Sequence, residues 1–398
     1  MIDTTSLQPY INLLPHAVTA FVITLLLTPL IGNLAKKFQF VDLPASMRKR
    51  TDSSKTTRLH EGIKPRLGGL AVLLPFIILT FLNVELNLAN VGILTGLGIL
   101  LISGVIDDRF ELSAGRQLLI QLLVAVLVVV TGTTITNIDF AGQSFNFVSS
   151  SNPLFIGNFT YLFRFPADLI TIFWILAITN ALNWVSGIDA LGETTTFIAS
   201  TITMMLAVRA GQFGLAIMPA ILFGGLLGFV PYNFPPAKIF SGTAGSTGYG
   251  FIIAVLAILS GSKITTSILV LSLPIVDMLW VILYRIKTHQ DLPLLKRPFV
   301  GGNVHLHHRL MSLGLSAKQT LALESITMGI IALFAFYIGG FSTHFIVLIG
   351  IIFIIFIAFL LLSYRLKKNG DNNQTVKKKP DEPPKPDTSS TPEEKYAY

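Results

Sequence analysis

The sequence predicts an all-α, polytopic membrane protein with about eleven transmembrane helices, its N-terminus outside and its C-terminus in the cytoplasm. Three observations predict it. Of 398 residues, 52% are hydrophobic and only 13% charged, against about 25% charged in soluble domains; mean hydropathy is +0.68. Apolar runs recur at lengths that suit a bilayer core, whose ~30 Å needs roughly 20 apolar residues per helix. Lys and Arg gather in alternate loops, as the positive-inside rule requires.

By length and hydropathy the spans fall near 11–34, 67–88, 91–106, 116–134, 166–183, 194–208, 213–230, 248–260, 263–284, 321–340 and 344–364. The opening "MIDTTSLQPY" lacks a basic n-region and leads into a long apolar run, which argues against a cleaved signal peptide. Residues 1–366 read as one integral-membrane domain. Residues 367–398 are rich in Pro, Lys and acids with almost nothing to bury, and read as a disordered cytoplasmic tail. No internal repeat supports an inverted-repeat transporter.

Orientation follows from the basic residues. The loop 35–66 carries nine of them and the loop 285–320 six, while the opposite side holds Arg164, Arg209 and Lys263. The net charge of +8 is therefore used at the membrane, and no nucleic-acid partner is implied. Every loop with polar chemistry then falls on the cytoplasmic face: 35–66, 107–115, 184–193, 231–247 and 285–320. The chain has no cysteine, which excludes disulfides and thiolate metal sites.

Five stretches in those loops carry candidate chemistry. "GVIDDRFEL" ends the third span with Asp107 and Asp108. Adjacent like charges raise each other's pKa unless a cation neutralises them, so the pair suits a divalent cation or a general base as well as a solvated turn. "TNALNWVSGIDALGE" places Asn180 and Asn183 on one helical face, with Asp189 after a Gly-containing turn. "NFPPAKIFSGTAGSTGYGF" offers four glycines that suit either a phosphate cradle or, more simply, close helix packing. "GGNVHLHHRL" clusters His305, His307 and His308 with Arg309; without cysteine or HExxH spacing, phosphate binding fits better than zinc. "RLHEGIKPRLGG" sets His60, Lys64 and Arg66 before the second span, where an anionic lipid head or a nucleotide would use them. Asp277, inside the ninth span, is read as the structural partner of Arg285.

In this order the pieces "VDLP" with "PRLGG", "DDR", "NALNWVSGID", "PAKIFSGTAGS" and "HLHHRLMSLGLS" resemble the polyprenyl-phosphate N-acetylhexosamine-1-phosphate transferase family (glycosyltransferase family 4), over roughly residues 10–365. The "HLHH" form resembles the branch that uses UDP-N-acetylglucosamine rather than UDP-MurNAc-pentapeptide. The resemblance implies transfer of a sugar 1-phosphate, GlcNAc-1-phosphate foremost, from a UDP-sugar to undecaprenyl or another polyprenyl phosphate, with release of UMP. The setting it implies is cell-envelope polysaccharide synthesis at the cytoplasmic face of the cell membrane, with a homodimer allowed. It implies Mg²⁺, or Mn²⁺ in its place, held by Asp107, Asp108 and Asn183, with the two aspartates catalytic. Substrate binding then falls to His60, Arg66, Asn180, Asp189, Asn233, Lys238, His305, His307 and His308.

The chain departs from the family's pattern at four places. Thr243 stands where the glycine-rich motif has its magnesium-holding Asp. Ser186 and Ala190 replace an Asp and a Gly of the "NxxNxxDGxDG" pattern, and Gly302 replaces an Asp before the histidines. These departures open a second reading, a catalytically impaired relative that binds lipid phosphate or nucleotide or partners an active enzyme; a relative that uses UDP-MurNAc-pentapeptide is the other alternative.

Overall fold

The structure, a computed structural model, describes residues 4–43, 62–140, 143–157, 159–260 and 264–338. Helices dominate: α1 (Thr4–Lys37), α2 (Gly68–Asn83), α3 (Leu88–Phe110), α4 (Ala114–Val130), α5 (Ala167–Val185), α6 (Leu191–Arg209), α7 (Phe213–Asn233) and α8 (Gly242–Leu259), then α9 (Ile264–Val270), α10 (Ser272–Thr288), α11 (Leu306–Ser312) and α12 (Ala317–Ile338). Among the described residues, seven helices are long and apolar enough to cross a membrane: α1, α3, α5, α6, α7, α8 and α12. The shorter α2 and α4 are apolar too. The chain is a multi-pass membrane protein.

Ten of the expected spans fall on these helices, with two differences of substance. The run 263–284 is not one helix: it breaks at Leu271 into α9 and α10. The helix expected from 248 begins at Gly242, so the glycines of that stretch lie within α8 rather than in a turn before it. The span near 344–364 and the tail 367–398 lie outside the described residues.

Three short antiparallel pairs supplement the helices: β1 (Val41–Asp42) with β2 (Lys64–Pro65), β3 (Asn137–Phe140) with β4 (Gln143–Asn146), and β5 (Val148–Ile156) with β6 (Phe159–Pro166). The last two hairpins join α4 to α5 at the end of those helices remote from Asp107 and Asn183. Asp168, at the start of α5 and 1% exposed, secures them: it accepts hydrogen bonds from Tyr161 Oη (2.7 Å), the Arg164 N–H (2.8 Å) and Thr134 Oγ1 (3.1 Å).

α8 is the axis of the bundle. Some 83% of it is buried, against 28% of the apolar stretch of α1, which faces outward. α8 packs on α2, α3, α5 and α6. Small residues permit this, because without a hydrophobic drive between helices close backbone approach supplies the attraction. A Cβ on Gly245 or on Gly69 would strike the backbone of the other, so α2 and α8 touch main chain to main chain. Phe76, Leu97, Phe229 and Phe251 fill the surrounding core.

Candidate active site

Each polar segment ends a helix at the same end of the bundle. There they enclose a cavity of about 850 Å³. β1 and β2 contribute Asp42 and Lys64, and the residue after β2 is Arg66; the end of α5 and the following turn contribute Asn183, Trp184, Ser186 and Asp189. The start of α6 gives Glu193, the end of α7 Asn233, and the start of α8 Thr243 and Ser246. His305, His307 and His308 close one side, with Lys318 of α12 at the rim. Four of the five loops named from the sequence thus line one cavity.

The fifth loop stands behind the wall. Asp108 is buried, its side chain wholly so, and pairs with Arg66 Nη2 at 3.0 Å. Its carboxylate also takes the first N–H groups of α8, from Thr243 (2.9 Å) and Ala244 (3.5 Å). An anion at a helix N-terminus is favourable, since the orphan N–H groups and the dipole both point at it. Here the anion is the chain's own. Gly242 makes the approach possible: its φ of +70° suits glycine, and a Cβ there would collide with Arg66 O and the Asp108 carboxylate. Asp107 turns away from the cavity. Its Oδ1 accepts the Leu112 N–H and Gln117 Nε2, both at 2.7 Å, which ties α3 to α4.

Of the other expected site residues, Asn183 lines the cavity and its Oδ1 accepts Ser246 Oγ at 2.6 Å. Asn180 does not line it; Nδ2 donates to Gln121 Oε1 of α4 at 2.6 Å. Asp189 lines it and is fixed by the Ala237 N–H at 2.8 Å. Asn233 donates to Ile239 O at 2.9 Å, while its buried Oδ1 has no partner. Lys238 is exposed and outside the lining. His60 lies outside the described residues.

Asp277 is held otherwise than expected. Its oxygens accept the Leu306 N–H (2.8 Å) and His305 Nδ1 (2.9 Å), while Arg285 donates to Pro298 O (2.8 Å) and lies 5.2 Å over the Trp184 ring. The His305 and His307 rings stack 5.5 Å apart, and His308 lies tilted beside them, 4.3 Å from His307. Burial, with His305 beside it, pushes His308 down to about 4; burial, with His308 and His305 adjacent, pushes His307 well below its usual value. Both rings are neutral at pH 7, so these two offer hydrogen bonds rather than charge.

Sequence reasoning missed Glu193. It is 2% exposed, lines the cavity, and is hydrogen-bonded by Ser241 across from the start of α8. Nothing in "ALGETTT" marks it; only the packing of α6 against α8 gives it a role. Asp42 and Lys318 become visible the same way.

Comparison with known proteins follows this geometry. The family model described as glycosyl transferase family 4 matches residues 90–261. The chain is 30% identical over 325 residues to a probable undecaprenyl-phosphate N-acetylglucosaminyl 1-phosphate transferase of Bacillus subtilis (strain 168), covering 76% of this chain and 80% of that protein. It is 26% identical over 364 residues to the undecaprenyl-phosphate alpha-N-acetylglucosaminyl 1-phosphate transferase of Escherichia coli (strain K12), covering 88% and 90%. It is also 26% identical over 350 residues to the decaprenyl-phosphate N-acetylglucosaminephosphotransferase of Mycobacterium leprae (strain TN), covering 79% and 80%.

Proposed function

The chain belongs to glycosyl transferase family 4, and from that premise we propose that it transfers a sugar 1-phosphate, N-acetylglucosamine 1-phosphate foremost, from a UDP-sugar to a polyprenyl phosphate and releases UMP. Its relatives are named for this transfer to undecaprenyl or decaprenyl phosphate. One observation carries the reading here: a polar cavity that presents Lys64, Arg66 and Lys318 among hydrogen-bonding groups opens at the end of an apolar bundle. A lipid phosphate reaches such a place from the bilayer and a nucleotide-sugar from water.

The cavity end is also the end with the basic loops, which supports a cytoplasmic site in the cell membrane. Lys64, Arg66 and Lys318 attract the diphosphate and offset the charge that develops as UMP leaves. Asn183, Asp189 and the neutral His307 and His308 offer the polar contacts that orient the sugar and phosphates. Asp108 acts from behind, holding Arg66 and the start of α8 in place.

Magnesium belongs to this proposal, yet the expected ligands make no ready cage. Asp107 and Asp108 are engaged by protein donors, Asn183 by Ser246, and among the described residues no three His, Asp or Glu gather as metal ligands. No step is therefore routed through the ion.

The test is UMP release by the purified full-length chain given a UDP-sugar, polyprenyl phosphate and Mg²⁺. UMP production that needs the lipid phosphate supports the transfer. Bound UDP-sugar without any UMP supports the impaired relative, which Thr243 at the cavity wall favours.

A further inference from the structure

The polar centre that this reading leaves without a task is the buried pair Asp277–His305. Asp277 is 3% exposed, sits in α10, and has both carboxylate oxygens engaged by the segment that carries the histidines. Oδ1 accepts the Leu306 N–H at 2.8 Å, the first residue of α11; Oδ2 meets His305 Nδ1 at 2.9 Å. A carboxylate oxygen accepts, so the ring turns Nδ1–H toward Asp277, and in the neutral tautomer that geometry leaves the lone pair on Nε2. His305 lines the cavity, and among the described residues its one side-chain hydrogen bond is the one Nδ1 makes to Asp277. The ring is wedged edge-on against Trp184 at 5.8 Å and stacked on His307 at 5.5 Å, so its direction is set on three sides.

We propose that Asp277 is a positioning residue for the transfer: it holds His305 in the Nδ1–H tautomer, so that Nε2 faces the cavity as proton acceptor for the phosphate monoester of the lipid. The inference rests on the transferase reading. A phosphate monoester has its second pKa at about 6, so part of it arrives still bearing a P–O–H. That proton passes to Nε2. The freed oxygen forms a bond to the sugar-bearing phosphorus of the UDP-sugar while the bond to the bridging oxygen breaks, and UMP leaves with that electron pair. His305 then returns its proton to water. Asp277 stays ionised throughout and steadies the imidazolium formed. The other groups facing this pair are Arg285 of α10, His307, His308 and Arg309 of α11, and Glu324 of α12, which feels the charge of Asp277.

The experiment uses the full-length chain in detergent, labelled with ¹⁵N-histidine, with His305→Gln to assign the ring signal. The expected spectrum shows a protonated Nδ1 and a bare Nε2. Asp277→Asn turns an amide N–H₂ toward one of its two former donors; the ring should shift to the Nε2–H form. The kcat of UMP release should then fall about 10²-fold or more with KM little changed, as when a positioned base holds the wrong tautomer. Asp277→Glu, which keeps the carboxylate, should restore part of the rate and the original tautomer. A bare Nδ1 in the parent chain, or an Asp277→Asn variant with parental kcat, overturns the proposal. If Asp277→Asn does not fold, the parent spectrum and Asp277→Glu decide the matter. The spectrum needs no substrate, so its outcome is separate from the transferase reading, which fails instead if the parent chain releases no UMP.

Discussion

Replacing Asp108 with Asn should loosen the whole back wall of the cavity. The carboxylate serves three donors at once: Arg66 Nη2 at 3.0 Å, the Thr243 N–H at 2.9 Å and the Ala244 N–H at 3.5 Å. Asn has the same shape but one acceptor oxygen and no charge, so it must abandon either Arg66 or the start of α8. Removing one partner of a buried ion pair costs about 3–5 kcal/mol. Arg66 is not fully buried, its side chain being 16% exposed toward the cavity, so water recovers part of that loss. Retaining one N–H bond recovers more, because a hydrogen bond to a charged group is worth about 1.5–3 kcal/mol. The expected net is about 2–4 kcal/mol of stability. Thermal unfolding in detergent should show a drop of several degrees, and UMP release should fall with it because Arg66 is no longer held. A double-mutant cycle of Asp108→Asn with Arg66→Gln isolates the pair and should give a coupling of roughly 1–3 kcal/mol. Additive effects, or an Asp108→Asn variant as stable and active as the parent, would refute the placement of Asp108 as the anchor.

Three further outcomes follow from the geometry. Ala190 adopts a left-handed φ of 62° between α5 and α6, a conformation that costs a side-chain-bearing residue roughly 1–2 kcal/mol; Ala190→Gly should raise Tm by a degree or more, and a lower Tm would show that the methyl packing, at 1% exposure, outweighs the strain. His308 titrates at about 4 in the folded chain because burial and His305 disfavour its charge, against about 6.5 unfolded. Its contribution is therefore complete above pH 6.5 and lost as pH falls toward 4, so Tm should fall more over that interval in the parent than in His308→Gln; parallel curves would contradict this. With no preassembled set of ligands among the described residues, Mn²⁺ titrated alone and followed by EPR should show no binding tighter than about 1 mM, whereas UDP should strengthen it by supplying phosphate oxygens. Tight binding without nucleotide would defeat that expectation.

The bundle was legible because membrane spans advertise themselves by length and hydropathy, and because Lys and Arg mark one end. The break at Leu271 was not: where both sides of a helix boundary are apolar, no polar residue signals the turn. The hairpins of 137–166 match none of the predicted spans, although the Gly157–Asn158 dipeptide between two β-prone runs is a turn signal in the sequence. Four of five polar loops were correctly brought to one cavity, since each ends a helix on the same side. What could not be read was which way a helix-end side chain points. Asp107 and Asp108 are neighbours, about 100° apart around α3, so one turns to α4 and the other to α8. Asn180 and Asn183 share a face, yet one turn of rise sets the first against Gln121 and the second at the cavity. Glu193 had no motif at all and gains its position from α8.

The charges that line the cavity also say what the reaction still lacks. The lining cations are Lys64, Arg66 and Lys318; the lining carboxylates are Asp42, Asp189 and Glu193. Three against three leaves the wall formally neutral, and His307 and His308 add nothing at pH 7 because burial keeps them uncharged. The reactants are not neutral: the lipid phosphate alone brings about −1.5 to −2, and the diphosphate brings more. Asp108 attracts no external cation, because Arg66 already balances it. Repulsion between the two anions at a few ångströms is therefore not offset by the chain alone, even at the moderate effective dielectric of a wet cleft. For the proposed transfer, a divalent ion carried in on the diphosphate would meet this need without a site built in advance, and the protein's share would be to hold Arg66, Lys64 and Lys318 where the phosphates must pass.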